Sequence, residues 1–222
     1  MSIVRCPDAG KGARSATADQ RDLFSTGITA PEGFVYRDDL ITAAEEAALL
    51  ETLKTLPFKP FEFQGYLGKR RIVSFGWRYD FDRKTLRSSE NLPDFLRPLQ
   101  ARAAAFAGRQ PEELQQVLIN EYETGAGVGW HRDKGMFEDV IGISLGATCR
   151  FRFRCSRGSD EDAGSGGTWS RLTQVLEPRS AYIMRGPARW AWEHSVPPVP
   201  ALRYSVTFRN FADSAPANET LS

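Results

Sequence analysis

The chain has 222 residues, 41% of them apolar and 26% charged, with a formal net charge of +1. This balance excludes a globally disordered or fibrous chain, and no apolar run approaches the ~20 residues that a membrane-spanning helix needs. Near-neutrality also excludes a protein that grips duplex nucleic acid through overall charge, so any such role must rest on a local patch.

Residues 1–30 are rich in Gly, Ala, Ser, Thr, Asp and Arg and poor in large apolar groups, and they are expected to form a mobile extension. The first residues carry no hydrophobic segment of signal-peptide length, which predicts a cytoplasmic protein. After Gly33, FVYRDDLI predicts a short strand. Thr42 and Glu45 have the spacing of a capping box at the head of a helix, in which Ala44, Ala47, Ala48, Leu50, Leu53 and Leu56 recur at helical spacing before Pro57. RRIVSFGWRY alternates as a strand or hairpin arm. A second helix is expected from Pro93 to Gly108, with Pro98 as its weak point, followed by a short PEELQQ turn.

Beyond Gln116 the texture changes. VLINEY, VIGISLG, TCRFRFRC, SRLTQVLEP, SAYIMRG and LRYSVTFRNF are short alternating segments separated by Gly, Pro and Ser turns, which predicts an antiparallel sandwich or barrel. The Gly/Ser/Asp stretch over 156–167 reads as a loop inside that unit. Cys149 and Cys155 share one predicted strand and cannot pair with each other, so the three cysteines are expected to be reduced.

The chain holds only two histidines. His131 stands two residues before Asp133, at the end of NEYETGAGVGWHRD, and His194 lies in WEHSV. Two imidazoles and one carboxylate form the facial donor set of non-haem Fe(II) oxygenases, which leaves open positions for a co-substrate and oxygen. Asn120 and Tyr122, two apart on a strand, share a face. On the last strand Arg203, Ser205, Thr207 and Arg209 face one way, and Tyr204, Val206 and Phe208 the other. Two inward arginines are costly unless they meet anions, and Asp133 or a dicarboxylate would suit them.

Asn120-x-Tyr122, His131-x-Asp133, His194 and the RYSVTFR ending together resemble the AlkB family of Fe(II)/2-oxoglutarate-dependent dioxygenases, well over 115–212 and in outline before it. The resemblance implies a mainly β fold, a double-stranded β-helix or jelly-roll with N-terminal helices and a substrate lid. Residues 31–215 would form one dioxygenase domain, with a helical and lid region over 31–115 and a catalytic core over 116–212. It implies His131, Asp133 and His194 as iron ligands. Asn120, Tyr122, Arg203 and Ser205 would bind 2-oxoglutarate, with Arg203 on its distal carboxylate, and Arg209 would buttress Asp133 and the co-substrate. Ser205 stands where an Asn is often found in that family. The implied activity is oxidative dealkylation of N-alkylated nucleobases in single-stranded or base-flipped DNA or RNA by a monomeric enzyme using Fe(II), 2-oxoglutarate and O2. The same chemistry on a protein or small molecule is the alternative.

Tyr66, Lys69, Arg70, Arg71, Phe75 and Trp77 fall where that family builds its lid, so aromatic stacking on a base and cationic contacts to phosphate are expected there, with core and surface duty as the alternative. Arg150, Arg152 and Arg154 alternate with Phe151 and Phe153 and fit either a solvated strand face or a phosphate-binding row. Trp130, Trp190 and Trp192 are expected in the core or a pocket wall.

Overall fold

The alternating segments of the second half become the strands of two packed antiparallel sheets. The computed structural model describes residues 30–63, 66–80, 85–88, 91–156 and 169–212. The expected N-terminal extension and most of the 156–167 loop lie outside these residues, as does the side chain of Tyr66.

The first strand, β1 (Phe34–Arg37), is followed by helix α1 (Ala43–Leu53). Thr42 and Glu45 close the expected capping box, which satisfies backbone donors that the first turn leaves free. The inward face of α1 differs from the predicted one: Ala44, Ala47 and Ala48 are exposed, whereas Leu49, Leu50, Leu53 and Leu56 pack inward. Glu46 shares that buried side, accepting from the backbone N–H of Gly146 and from Arg179. Strands β2 (Lys59–Phe63), β3 (Tyr66–Asp80) and β4 (Thr85–Ser88) come next.

Helix α2 (Arg97–Ala107) starts after a 3-10 turn, and Pro98 stands in its first turn, where a missing N–H costs nothing. Pro98 is therefore a helix start and not the weak point expected of it. Gly108 ends the helix at φ 68°, as expected.

Strands β5 (Gln116–Tyr122), β6 (Val128–His131), β7 (Phe137–Gly146), β8 (Cys149–Ser156), β9 (Trp169–Leu176) and β10 (Ala181–Met184) follow. A short helix, α3 (Pro187–Trp190), leads to β11 (Glu193–Val196) and β12 (Arg203–Phe211). The larger sheet runs β1-β10-β7-β12-β5-β3-β2, with β4 on β3, and the smaller runs β6-β11-β8-β9. This is the expected jelly-roll.

Both faces of the larger sheet are covered. Phe75, Ile119, Ile143, Val206 and Phe208 pack against α1 and α2, while Tyr122, Val140, Phe151, Phe153 and Tyr182 fill the space between the sheets. Each fully buried aliphatic or aromatic side chain contributes roughly 1.5–3 kcal/mol. The two-faced burial of β12 is the consequence that matters for function. Its apolar row of Tyr204, Val206 and Phe208 anchors the strand on the helices, so its polar row must face the gap between the sheets. Phe75 belongs to the helix-side core and is not a lid residue. Among the described residues no helix is long and apolar enough to cross a membrane.

Cys149 is a buried free thiol, whereas Cys155 is disulfide-bonded. The shared strand rules out only the pairing of those two with each other, so the reduced-thiol expectation holds for Cys149 and fails for Cys155, while Cys6 lies outside the described residues.

Candidate metal centre and co-substrate pocket

Strand register brings the two histidines together. His131 on β6 lies opposite His194 on β11, and their ring centroids are 4.2 Å apart. His131 Nδ1 is 2.9 Å from the carbonyl oxygen of Gly129. A carbonyl only accepts, so Nδ1 donates, which leaves Nε2 as the ring atom free to face a metal. His194 is buried and stacked on Phe151 at 5.1 Å. Burial first, then the neighbouring His131, push its pKa down to about 3 against the pull of Asp133. It is therefore a neutral imidazole near pH 7, and its 3.9 Å approach to Asp133 is not an ion pair.

Asp133 stands just past the end of β6. Burial opposes its ionisation, but the positive charges facing it, the Arg209 guanidinium first and Arg189 behind it, outweigh burial and hold the carboxyl well below the usual range. Arg209 Nη2 donates to Asp133 Oδ1 at 3.2 Å, and its Nη1 donates to Gln116 at 2.9 Å. Ligand atoms of His131, Asp133 and His194 all lie within 4.8 Å of one another. One ionised carboxylate and two imidazoles with free lone pairs fit Fe(II).

The glycines around these residues are structural requirements. A Cβ on Gly127 would lie 2.6 Å from the carbonyl oxygen of Val196, so only glycine lets the loop after β5 pass under β11. A Cβ on Gly142 would lie 2.2 Å from Cζ of Tyr182, whose ring crosses that strand.

The triad opens into a cavity of about 1120 Å³, also lined by Asn120, Tyr122, Arg203, Ser205, Thr207 and Arg209. Register explains the grouping: Arg203 faces Tyr122 and Ser205 faces Asn120 across β12 and β5. Arg203 is 1% exposed, donates through Nε to Ser144 at 3.1 Å, and lies 5.1 Å over the Tyr122 ring. Its Nη1 and the Nε of Arg209 are buried without a partner. Two buried cations with unused donors beside a metal-type triad fit an anionic, oxygen-rich ligand such as 2-oxoglutarate. The hydroxyl of Ser205 meets that of Thr207 at 3.5 Å.

The lid residues separate by strand parity. Arg70 lines the cavity, with Cζ 4.1 Å over the Phe61 ring. Arg71 turns to the other face, where Nη2 lies 2.5 Å from Glu121, an acid that also accepts from Tyr204. Lys69 and Trp77 are not among the cavity residues, and Trp77 packs edge-on against Phe211 at 6.2 Å. The expected basic cluster thus contributes one arginine to the cavity. Trp192 is buried as expected and Trp130 stands on the cavity wall, but Trp190 is 41% exposed, with Arg189 lying over its ring.

Several site residues escape the sequence patterns. Tyr182 and Gln116 line the cavity, and burial raises the Tyr182 phenol well above its ordinary range. Arg189, 2% exposed, donates to the backbone carbonyls of Asp133, Lys134 and Phe137 at 3.3, 2.7 and 2.8 Å. It thereby ties down the loop that carries Asp133. Gly142, a glycine inside a β-branched strand, was the one visible signal, since such a glycine marks a close approach.

Comparison with known proteins agrees with this geometry. The pattern of the 2OG-Fe(II) oxygenase superfamily matches residues 33–209. The chain is 30% identical over 191 residues to the alkylated DNA repair protein ALKBH8 homolog of Arabidopsis thaliana, covering 79% of this chain and 53% of that protein. It is 29% identical over 175 residues to the tRNA (carboxymethyluridine(34)-5-O)-methyltransferase ALKBH8 of Mus musculus, covering 76% of this chain and 24% of that protein. The chain thus spans about half the length of the plant relative and about a quarter of the mouse one. The solved structure of OsALKBH1 superposes with a TM-score of 0.60 at 16% identity, over 80% of this chain and 96% of that one, and shares the fold. The chain belongs to the 2OG-Fe(II) oxygenase superfamily, as an AlkB-family dioxygenase that works with Fe(II), 2-oxoglutarate and molecular oxygen.

Proposed function

We propose that this enzyme oxidatively removes N-linked alkyl groups from nucleobases in DNA or RNA, presented single-stranded or flipped out. It acts as a cytoplasmic monomer, with residues 31–215 as its dioxygenase unit. The observation that carries the reading is the convergence of His131, Asp133 and His194 on a cavity that also holds two buried arginines with unpartnered nitrogens.

His131, Asp133 and His194 would hold the iron. When bound, it supplies the oxidative chemistry: 2-oxoglutarate and O2 become succinate and CO2 while one oxygen atom enters a C–H bond of the N-alkyl group, and the resulting hemiaminal releases an aldehyde. The chain's own residues position and exclude water. The Gly129 carbonyl orients His131, and Arg209 keeps Asp133 anionic through its 3.2 Å contact. Arg203 receives the distal carboxylate of 2-oxoglutarate, with Asn120, Tyr122 and Ser205 beside it on the same inner face. Arg70 and Phe61, on β3 and β2 farther along the same sheet, receive the base by stacking and hydrogen bonding.

The names of the two relatives concern DNA repair and tRNA modification, which supports a nucleic-acid substrate. A net charge of only +1 supports a second reading, the same chemistry on a protein or small molecule. Incubation with methylated single-stranded DNA, RNA and protein, followed by mass analysis of products, separates the two. Demethylation of an oligonucleotide is the expected result, and a product from the protein or small-molecule arm alone would favour the second reading.

A further inference from the structure

We propose that the outer face of the four-stranded sheet is the track for the single polynucleotide strand flanking the base in the cavity; this rests on the nucleobase reading above. Because Phe151, Phe153 and His194 point inward, Arg150, Arg152, Arg154 and Glu193 point outward. Apart from the histidines, the charged residues of the sheet's four strands are four arginines, with Arg171 on β9, and one glutamate. That excess stands out on a chain of net charge +1.

The arrangement is costly unless an anion meets it. Arg154 and Arg171 are direct register partners on the same outer face, and like charges so placed destabilise a sheet. Among the described residues Glu193 pairs with Arg154, at 2.5 Å. The aromatic component is equally organised: Arg152 and Arg154 lie 5.0 and 4.6 Å over the Trp130 ring, and Arg154 also lies 4.6 Å over Trp169, itself 39% exposed. Flat rings interleaved with guanidinium groups suit a partner with alternating bases and phosphates. Trp130 also lines the cavity and directly precedes His131, so the patch is continuous with the reaction site. A strand with one nucleotide in the cavity would leave over Trp130 and run across β8 and β9. An acidic protein would match the charge but leave the ring faces unused.

The test uses the full chain as Arg150→Ala/Arg171→Ala and, separately, Trp169→Ala; all three side chains are exposed, and thermal unfolding checks that each variant folds. Fluorescence anisotropy of a short methylated single strand is measured over a salt series, beside an acidic peptide of equal charge. Steady-state turnover of the corresponding methylated mononucleoside is measured in parallel. The double variant should flatten the slope of log affinity against log salt by about 1.4, two contacts at about 0.7 each. Trp169→Ala should weaken strand binding by about tenfold with little change in salt slope. KM for the mononucleoside should be unchanged in both. Wild-type strand affinity and salt slope in the variants, or an arginine-dependent preference for the peptide, would overturn the track while leaving the catalytic reading intact. Failure of the wild type to bind or oxidise any strand would overturn both.

Discussion

His131 and His194 are partners in one antiparallel ladder, their rings 4.2 Å apart, although sixty-two residues separate them along the chain. Two of the three metal-type donors are therefore set by strand register, and the third, Asp133, by the turn that follows. A slip of one residue between β6 and β11 would send one histidine to the outer face and destroy the site. The site should accordingly be as rigid as the small sheet itself.

Arg203 makes a prediction that separates binding from chemistry. Its buried Nη1 lacks a partner, and the surrounding donors converge from β5 and β12. Arg203→Met should raise KM for 2-oxoglutarate by about 10- to 100-fold, the worth of a charged hydrogen-bonding contact, with a smaller change in kcat at saturation. Steady-state kinetics with varied 2-oxoglutarate measure this. An unchanged KM would remove Arg203 from the co-substrate site.

Burial of a neutral His194 makes the metal-free protein acid-sensitive. The unfolded imidazole takes a proton near pH 6.5, whereas the folded one does so only at about 3. Between these values the unfolded chain binds more protons, so folding stability falls as pH falls through that window, by about 2 kcal/mol at pH 5 relative to pH 8. Asp133, held well below its ordinary range, adds a loss that begins only below about pH 4. Denaturant unfolding of the metal-free protein at pH 8 and pH 5 should show the His194 loss, and His194→Gln should abolish that part of it. Equal stability of the wild type at both pH values would contradict the assignment.

Arg189 is a positioning residue for the Asp133 loop, through its three backbone carbonyl contacts. Arg189→Met should weaken divalent metal affinity by about 10- to 100-fold. Arg189→Lys, which keeps the charge but loses the planar fork, should recover only part of it. Titration with Mn(II) followed by magnetic resonance, beside thermal unfolding, separates loosening of the site from loss of the fold. A lowered Tm with unchanged metal affinity would make Arg189 merely structural.

Much of this was legible in the residues. Period-two alternation on β12 predicted both its core row and its polar row, because each face is buried against something different. The pairing of His131 with Asp133 was visible as spacing and became informative with His194 and the last strand. Helix α1 shows the limit: its alanines fit the periodicity, but the buried stripe was decided by Leu49 and Glu46 meeting the sheet. The Lys69–Arg71 run shows another. Adjacent residues of a strand point to opposite faces, so a basic cluster in sequence becomes one cavity arginine and one paired with Glu121. Tyr182 and Arg189 were hidden because a tyrosine in an apolar strand and an arginine in a one-turn helix acquire roles only from tertiary contacts.

The most direct test of the central claim is product stoichiometry on an N-methylated single strand with Fe(II), 2-oxoglutarate and O2, for the wild type and for His131→Ala. The wild type should form succinate, formaldehyde and demethylated base in roughly equal amounts, as insertion of one oxygen atom per co-substrate requires. His131→Ala should form none of the three. Succinate without demethylation by the wild type, or coupled turnover by His131→Ala, would contradict the account.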